Sequence, residues 1–271
     1  MESGSIQRGI SQILDCTSDS RNSSVYLINP GRKTFEALVE SLTPESKRQI
    51  MIVAREPLLK DMLDEFILAS RTADLEADEV ISLRANSTFN GNALFASTER
   101  IVAVLETPSE ILGIPADESG IVSTMRGYCE HQWNRASDFN HRTPPRRVIR
   151  ESLAEEIGKE TQRDFDTMLE VLGTARGDAG EMNEVAVSLL AAARNGVQLY
   201  DISKWGEDTG VASKATFSRA KTRLEEVGLI DTHKIPIQLG RPRLKLVLGE
   251  DEFNSMTIDE LASVAIARLE T

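Results

Sequence analysis

The stretch of sequence that decides the fold is ASKATFSRAKTRLEEVGLID, residues 212–231. Ser213 is a good helix N-cap and Gly228 is a good helix stop, so the stretch predicts one helix with a defined beginning and end. Apolar side chains between them recur at spacings of three and four residues and predict a buried face: Phe217, Ala220, Leu224 and Val227. The opposite face of this helix is therefore expected to point into solvent.

Two further helices are predicted before this one, and a hairpin is predicted after it. The first helix runs from the N-cap Asn183 to the stop at Gly196, and the second is expected over residues 201–208. Residues 235–239 and 244–248 alternate apolar and polar side chains on either side of a Gly-Arg-Pro-Arg tip, which is typical of two paired strands. Three helices followed by a two-stranded wing are the winged form of the helix-turn-helix.

The outward face of the helix after Ser213 carries basic and hydroxyl side chains. Arg and Lys bind guanine edges or phosphates, and Ser and Thr hydrogen-bond to bases or phosphates. The free amides of a capped helix N-terminus also hold a phosphate. We therefore predict a surface that binds double-stranded DNA, formed by ten residues of this helix and the wing: Ser213, Lys214, Thr216, Ser218, Arg219, Lys221, Thr222, Arg223, Arg241 and Arg243.

Charge is segregated along the chain. The protein has 31 basic and 43 acidic residues, and its formal net charge of -12 would by itself repel a nucleic acid. Residues 213–248 carry eight basic and three acidic side chains, a balance of +5 that leaves -17 for the rest. A solvated surface is the commoner explanation of one charged helix face, but the segregation and the wing together favour DNA binding. The alternative is a winged-helix module that binds protein and regulates another transcription factor.

The N-terminal part, residues 1–142, alternates short apolar runs with helical patterns. Five runs predict strands, the last two as a hairpin: residues 25–28, 50–54, 80–83, 93–96 and 101–105. A helix is expected over residues 119–137. Strands that alternate with helices indicate an α/β domain with a partly parallel sheet, which we interpret as a sensor-like or dimerisation domain.

A Pro- and Arg-rich break at residues 138–147 ends this first domain. The domains expected after it are a connector of two helices over residues 143–180, the winged helix-turn-helix domain over 181–249, and a C-terminal helix over 250–271. Apolar stripes on the connector, from Ile149 to Leu172, and on the C-terminal helix are free to pair with a second copy in a homodimer or to pack inside one chain.

The run from Asn183 to Gly249, which includes YDISKWGEDTG and IQLGRPRLKLVLG beside the stretch quoted first, resembles the winged-helix regulators of haloarchaea. The whole chain resembles the TbsP family of haloarchaeal transcriptional regulators. This resemblance implies a sequence-specific regulator of central sugar metabolism, glycolysis and gluconeogenesis, with a sugar or sugar phosphate as effector. It also implies that the helix from Ser213 to Glu226 enters the major groove, while Arg241 and Arg243 follow phosphates or the minor groove.

The acidic composition agrees with a halophilic source. Arginines number 22 and lysines only 9, and a dense carboxylate surface keeps a protein soluble in a high-salt cytoplasm.

The first domain is similar in outline to the phospholipase-D-like sensor modules of archaeal regulators. No His-x-Lys pair occurs in the chain, so phosphodiesterase chemistry by that motif is excluded. Gly-x-Gly-x-x-Gly, Walker and Gly-x-Ser-x-Gly sequences are also absent, and we expect neither an enzyme nor a cofactor.

Metal binding and membrane association are not indicated. Cys16 and Cys129 are widely separated and the three histidines are also scattered, so no structural zinc site is expected. Unpaired thiols are typical of a reducing compartment. No apolar run approaches the roughly 20 residues of a membrane helix, and the expected location is the cytoplasm.

Overall fold

The chain folds into two units, unit 1 (Met1–His141) and unit 2 (Arg142–Thr271). The division falls inside the Pro- and Arg-rich break that the sequence indicates. The computed structural model describes most of both units, in these ranges: 6–17, 24–46, 48–87, 91–174, 182–236 and 242–269.

Unit 1 is built on an eight-stranded mixed sheet. Its strands are β1 (Gln7–Arg8), β2 (Val25–Ile28), β3 (Ile50–Ala54), β4 (Ile81–Ala85), β5 (Ala93–Ala96), β6 (Ile101–Glu106), β7 (Ile111–Ala116) and β8 (Ser137–Asp138). The spatial order is β1-β7-β6-β5-β2-β3-β4-β8. Strands β2, β3 and β4 run parallel, whereas every other pairing is antiparallel. The predicted α/β layer with a partly parallel sheet and a β5–β6 hairpin is confirmed.

Helices cover both faces of this sheet. They are α1 (Gly9–Cys16), α2 (Arg32–Ser41), α3 (Glu56–Met62), α4 (Phe66–Ala77) and α5 (Ser119–Arg135). Side chains of α1 to α4 pack with Leu27 and Ile52 on one face, and α5 packs with Ile28 and Val53 on the other. Because successive strand residues point to opposite faces, the central strand β2 is buried at all four positions.

Cys129 lies in the core between α5 and the sheet and is fully buried. Burial raises the pKa of its thiol to about 12, because a thiolate loses its hydration there. We expect iodoacetamide at pH 8 to modify native Cys129 far more slowly than the partly exposed Cys16, with the difference abolished in denaturant.

The same pKa shift gives a pH dependence of stability. The pKa of Cys129 in the folded protein lies above the ordinary value of 9.0. The folded state therefore has its full stability with respect to this thiol below about pH 9 and loses stability as pH rises towards 12, because the thiol ionises more readily in the unfolded chain. Cys129→Ala should flatten this part of a curve of unfolding free energy against pH.

Equal labelling of the two native thiols by iodoacetamide, measured by mass spectrometry of their peptides, would contradict the assignment of Cys129 to the core.

Unit 2 is mainly helical. Its elements are α6 (Arg146–Ser152), a π-helical turn (Leu153–Ile157), α7 (Lys159–Thr174), α8 (Glu184–Arg194), α9 (Leu199–Asp208), α10 (Lys214–Glu226), β9 (Ile230–Ile235), β10 (Arg243–Leu248), a 3-10 turn (Asp251–Ser255) and α11 (Ile258–Leu269). The three helices and the two-stranded wing follow one another in the predicted order.

The helices expected to form a connector belong to the core of unit 2. Helix α7 packs against α8 and α11, and Phe165 meets Trp205 edge to face with ring centroids 6.4 Å apart. The Trp205 indole donates to Ser152 Oγ at 3.0 Å, and the side chain is buried in the core of unit 2. Val148 of α6 is 44% exposed, because Ile149 takes the inward position of this short helix.

The two apolar stripes offered for pairing with a second copy are used inside the chain. The connector stripe is buried from Ile149 to Leu172 at its core positions, and Leu261, Ala265 and Leu269 of α11 are buried as well. The contact between α7 and α11 joins the two stripes. Neither stripe is left as a free apolar surface.

Candidate nucleic-acid interface

Helix α8 is the central helix of the winged-helix scaffold. Asn183 Oδ1 accepts hydrogen bonds from the amides of Val185 and Ala186, both at 3.1 Å, and Gly196 follows the helix with a φ of 62°. A side-chain oxygen satisfies amides that the first turn leaves free, and a glycine adopts the left-handed conformation without strain. Both predicted ends of this helix are confirmed.

Helix α10 is positioned by its cap and its buried face. Ser213 Oγ accepts from the amide of Thr216 at 3.2 Å, and Gly228 ends the region with a φ of 72°. Phe217 and Leu224 are fully buried. The cap sets where the helix begins and the two apolar side chains set its rotation, so the face that reaches solvent is fixed.

Helices α9 and α10 approach each other closely at one glycine. The ring of Phe217 occupies the space beside the Gly206 Cα where any other residue would carry its Cβ. Gly210, with a φ of 80°, follows in the tight turn between the two helices. The helix-turn-helix geometry therefore depends on a missing side chain at Gly206.

The wing is attached to the loop between α8 and α9. Strands β9 and β10 pair from Ile230–Leu248 at the base to Ile235–Arg243 near the tip. The Leu246 amide donates to the Val197 carbonyl at 2.9 Å, and Gln198 forms a bridge to Lys245. Val197 and Gln198 therefore pair with the middle of β10, in the position that a third strand would take. Gly240 and Arg241 of the predicted tip lie outside the described residues, as do residues 237–239 of the predicted first strand.

Three of the predicted DNA-binding residues form an exposed strip on α10: Ser218, Arg219 and Thr222. The strip lies opposite the buried Phe217 and Leu224. The Thr222 hydroxyl donates back to the Ser218 carbonyl at 3.1 Å, and Arg219 Nη2 lies 3.4 Å from Thr216 Oγ1. Within the described part of the chain, no carboxylate pairs with Arg219. Its positive charge therefore remains available to an external anion.

The other cations of α10 are paired with carboxylates. Lys214 Nζ lies 2.6 Å from Glu207 of α9, Lys221 Nζ lies 2.6 Å from Glu225, and Arg223 lies 4.0 Å from Glu226.

Lys221 and Arg223 flank the exposed strip rather than belonging to it. Only 15% of the Lys221 side chain is exposed. Its partner Glu225 also accepts from Thr232 of β9 at 3.1 Å, so Lys221 lies on the side of α10 that faces the wing.

Sequence reasoning missed an aromatic residue beside the wing. Tyr200, in the first turn of α9, is 53% exposed, and the Arg243 guanidinium lies 5.7 Å from its ring centroid. Arg243 Nη1 also donates to Gln198 Oε1 at 3.2 Å. An aromatic residue outside the apolar stripe of a helix is the signal that would have found it. Tyr200 and Arg243 together present a flat ring and a cation, which suit contact with a nucleic-acid backbone.

Glu207 is expected to weaken DNA binding by holding Lys214. The hydrogen bond to the Glu207 carboxylate raises the pKa of Lys214 above its ordinary value, so the lysine stays charged and paired in the free protein. Glu207→Gln removes a negative charge from the surface and leaves Lys214 free for a phosphate. We expect several-fold tighter binding to a random duplex and a salt slope steeper by up to about 1.

Fluorescence anisotropy over a series of KCl concentrations measures both quantities. Glu170→Gln, the same change at an exposed position of α7, is the matched control. Equal effects of the two substitutions would mean that only net charge matters and that Lys214 has no particular role.

Neither a cluster of metal-ligating side chains nor a membrane-spanning helix is found among the described residues. No group of three or more His, Cys, Asp or Glu side chains among them is arranged to hold a metal ion. None of the helices in these ranges combines the length and apolar character needed to cross a bilayer.

The capped, outward-facing helix and the anchored wing define unit 2 as a winged helix-turn-helix domain. Residues 145–266 match the C-terminal HTH domain of the transcriptional regulator TbsP-like family, and residues 2–144 match the N-terminal domain of the same family. The chain belongs to the TbsP-like transcriptional regulators. The family is one of regulators and not of enzymes.

Solved structures show weaker similarity. The structure of TrmBL2, described as an archaeal chromatin protein with a novel mode of DNA binding, is 14% identical with a TM-score of 0.36 over 50% of this chain and 53% of that one. Nuc, a phospholipase D family member from Salmonella typhimurium, is 16% identical with a TM-score of 0.35 over 51% of this chain and 99% of that one. No curated protein matches the chain.

Proposed function

We propose that this regulator binds specific DNA sequences by placing α10 in the major groove. The observation that carries the proposal is the exposed strip of Ser218, Arg219 and Thr222, in which Arg219 has no carboxylate partner among the described residues. An Arg in this position can form two hydrogen bonds to the edge of a guanine. A 13-residue helix is about 20 Å long, which fits along a major groove about 12 Å wide.

The wing and the flanking cations supply contacts to the DNA backbone in this proposal. Arg243, held beside Tyr200, and Arg241 follow phosphates or the minor groove. Lys214, Lys221 and Arg223 exchange their carboxylate partners for phosphates on binding. Each such exchange adds a salt-dependent contribution that does not depend on sequence.

The biological setting is proposed from the family resemblance and the composition. We place the protein in the cytoplasm of a haloarchaeon, where it controls genes of glycolysis and gluconeogenesis in response to a sugar or sugar phosphate. The net charge of -12 and the preference for Arg over Lys support a high-salt cytoplasm.

A homodimer would present two winged helices to half-sites about one helical turn apart. Since the apolar stripes of α7 and α11 are buried within one chain, the dimer has to use another surface. Light scattering at micromolar concentration tests this part of the proposal, and a monomer would remove it.

Selection from a random duplex library tests sequence-specific binding directly. The purified protein should enrich a defined motif over successive rounds at constant salt, and Arg219→Ala should enrich it poorly. If the protein shifts no duplex in a gel even at low salt, the result supports the protein-binding alternative instead.

Chromatin immunoprecipitation with and without a sugar carbon source then shows whether the bound promoters belong to sugar metabolism.

A further inference from the structure

The first turn of α2 in unit 1 has an unusual charge arrangement. Its first two residues, Arg32 and Lys33, are basic, and the turn contains no acidic residue. Helix N-termini carry a partial positive charge and ordinarily favour acidic side chains in this position. Both basic side chains therefore begin at the end of the helix where the backbone dipole is also positive.

The two basic side chains differ in how they are satisfied. Arg32 is surrounded by the carboxylates of Glu36 and Asp61, both at 2.8 Å, and of Glu65 at 3.4 Å. Lys33 donates to backbone carbonyls, at 3.2 Å in the case of Thr107, and makes no ion pair with any described residue. Lys33 is thus the cation of this turn whose charge is uncompensated.

The carboxylate of Glu106 lies in the first turn. It accepts a hydrogen bond from the Thr34 amide at 3.0 Å, and it fills the space beside Gly31 that a side chain would need. A free helix amide next to a glycine is where helices bind phosphate and other oxyanions. Glu106 is the last residue of β6 and is exposed, so its side chain has solvent to move into.

Two buried polar atoms at this turn have no hydrogen-bond partner among the described residues: Thr34 Oγ1 and Asn29 Oδ1. Thr34 is fully buried. The Cα–Cβ bond of a helical residue tilts towards the helix N-terminus, so the Thr34 side chain leans towards the same turn. Buried hydroxyl and amide oxygens are nearly always paired in folded proteins, so an unused donor and an unused acceptor here indicate a polar ligand.

The topology places this turn where α/β sheets bind ligands. Strand β2 is parallel to β3 and antiparallel to β5, and the chain order reverses between these two neighbours. Strand β6 is antiparallel to β5, so it runs in the same direction as β2 and ends at the same edge. In α/β sheets, ligands bind beyond the carboxyl ends of the strands.

We propose that the first turn of α2 binds the phosphate group of a small metabolite, and that Glu106 occupies this site in the free protein. The phosphate takes the Thr34 amide from Glu106 and gains the Thr34 hydroxyl and Lys33. A hydroxyl group of the same ligand can donate to Asn29 Oδ1. The site gives a chemical class to the effector of the proposed function. It does not depend on the DNA interface, so either proposal can fail without the other.

Calorimetric titration of the full-length protein with inorganic phosphate tests the site. Glu106→Gln keeps an oxygen that can accept from the Thr34 amide but removes the competing charge, and should bind phosphate at least about tenfold more tightly than the wild type. Thr34→Val, which replaces the hydroxyl by a methyl group, should bind several-fold more weakly. Glu110→Gln, the same charge change in the turn after β6, is the matched control and should behave as the wild type.

A second titration with glycerol 3-phosphate separates a metabolite site from a site for free phosphate. Tighter binding than inorganic phosphate supports the contact with Asn29, and Asn29→Ala should remove that difference. Thermal unfolding checks that each variant is folded. The proposal is overturned if Glu106→Gln binds phosphate no better than Glu110→Gln, or if neither binds at millimolar concentration.

Discussion

Arg219→Ala is expected to lower affinity for the selected operator by about 10- to 100-fold, the loss typical of an arginine that contacts a base edge. Binding to a scrambled duplex should fall much less, because the contact to the base edge is not made there. Loss of a phosphate contact would instead weaken binding to both duplexes equally. The substitution should leave thermal stability unchanged, since Arg219 is exposed and its 3.4 Å contact with Thr216 is long for a hydrogen bond.

Anisotropy titrations with both duplexes at one salt concentration measure this difference. Arg163→Ala removes an exposed arginine of α7 and serves as the matched control. Lys214→Ala should weaken both duplexes similarly and less severely, because Lys214 already has a carboxylate partner in the free protein. Unchanged operator affinity in both Arg219→Ala and Lys214→Ala would show that α10 is not the recognition helix.

Gly206→Ala is expected to destabilise unit 2 by about 2–3 kcal/mol, because the new methyl group overlaps the buried Phe217 ring. For a unit of this size the unfolding midpoint should fall by roughly 10 °C. Helix propensity alone predicts the opposite sign, since Ala is intrinsically better than Gly inside a helix by roughly 0.5–1 kcal/mol.

Gly127→Ala is the control, because a Cβ at Gly127 in α5 meets nothing within 4 Å. This substitution should stabilise unit 1 slightly. Phe217→Leu combined with Gly206→Ala should recover part of the loss, which a double-mutant cycle followed by circular dichroism would detect. Additive effects of the two substitutions would mean that α9 and α10 do not meet at this point.

Local signals were enough to predict the winged-helix domain. Asn183 and Ser213 cap their helices as expected, and glycines with positive φ end α8 and α10. Each of these features depends on a few neighbouring residues, so the sequence specifies it without knowledge of the fold. The parallel strands of unit 1 were equally visible as short apolar runs.

Features that depend on distant parts of the chain were not predictable. Strand β7 and the short strands β1 and β8 have weak patterns of their own and are defined by their partners. The pairing of Lys214 with Glu207 arises only once α9 and α10 pack together. Glu106 reaches the first turn of α2 from 72 residues away. The spacing of apolar residues predicts the stripes of α7 and α11 but not what they pack against. In the structure, the two stripes pack against each other within one chain.

The hydrogen bond between Leu246 and Val197 anchors the wing to the loop that precedes α9. Residues added to or removed from the hairpin beyond Arg243 would change how far the loop extends without altering the orientation of α10. In the proposed binding mode, the contact of the wing with the DNA backbone and the choice of base sequence by α10 can then change separately in evolution or by engineering.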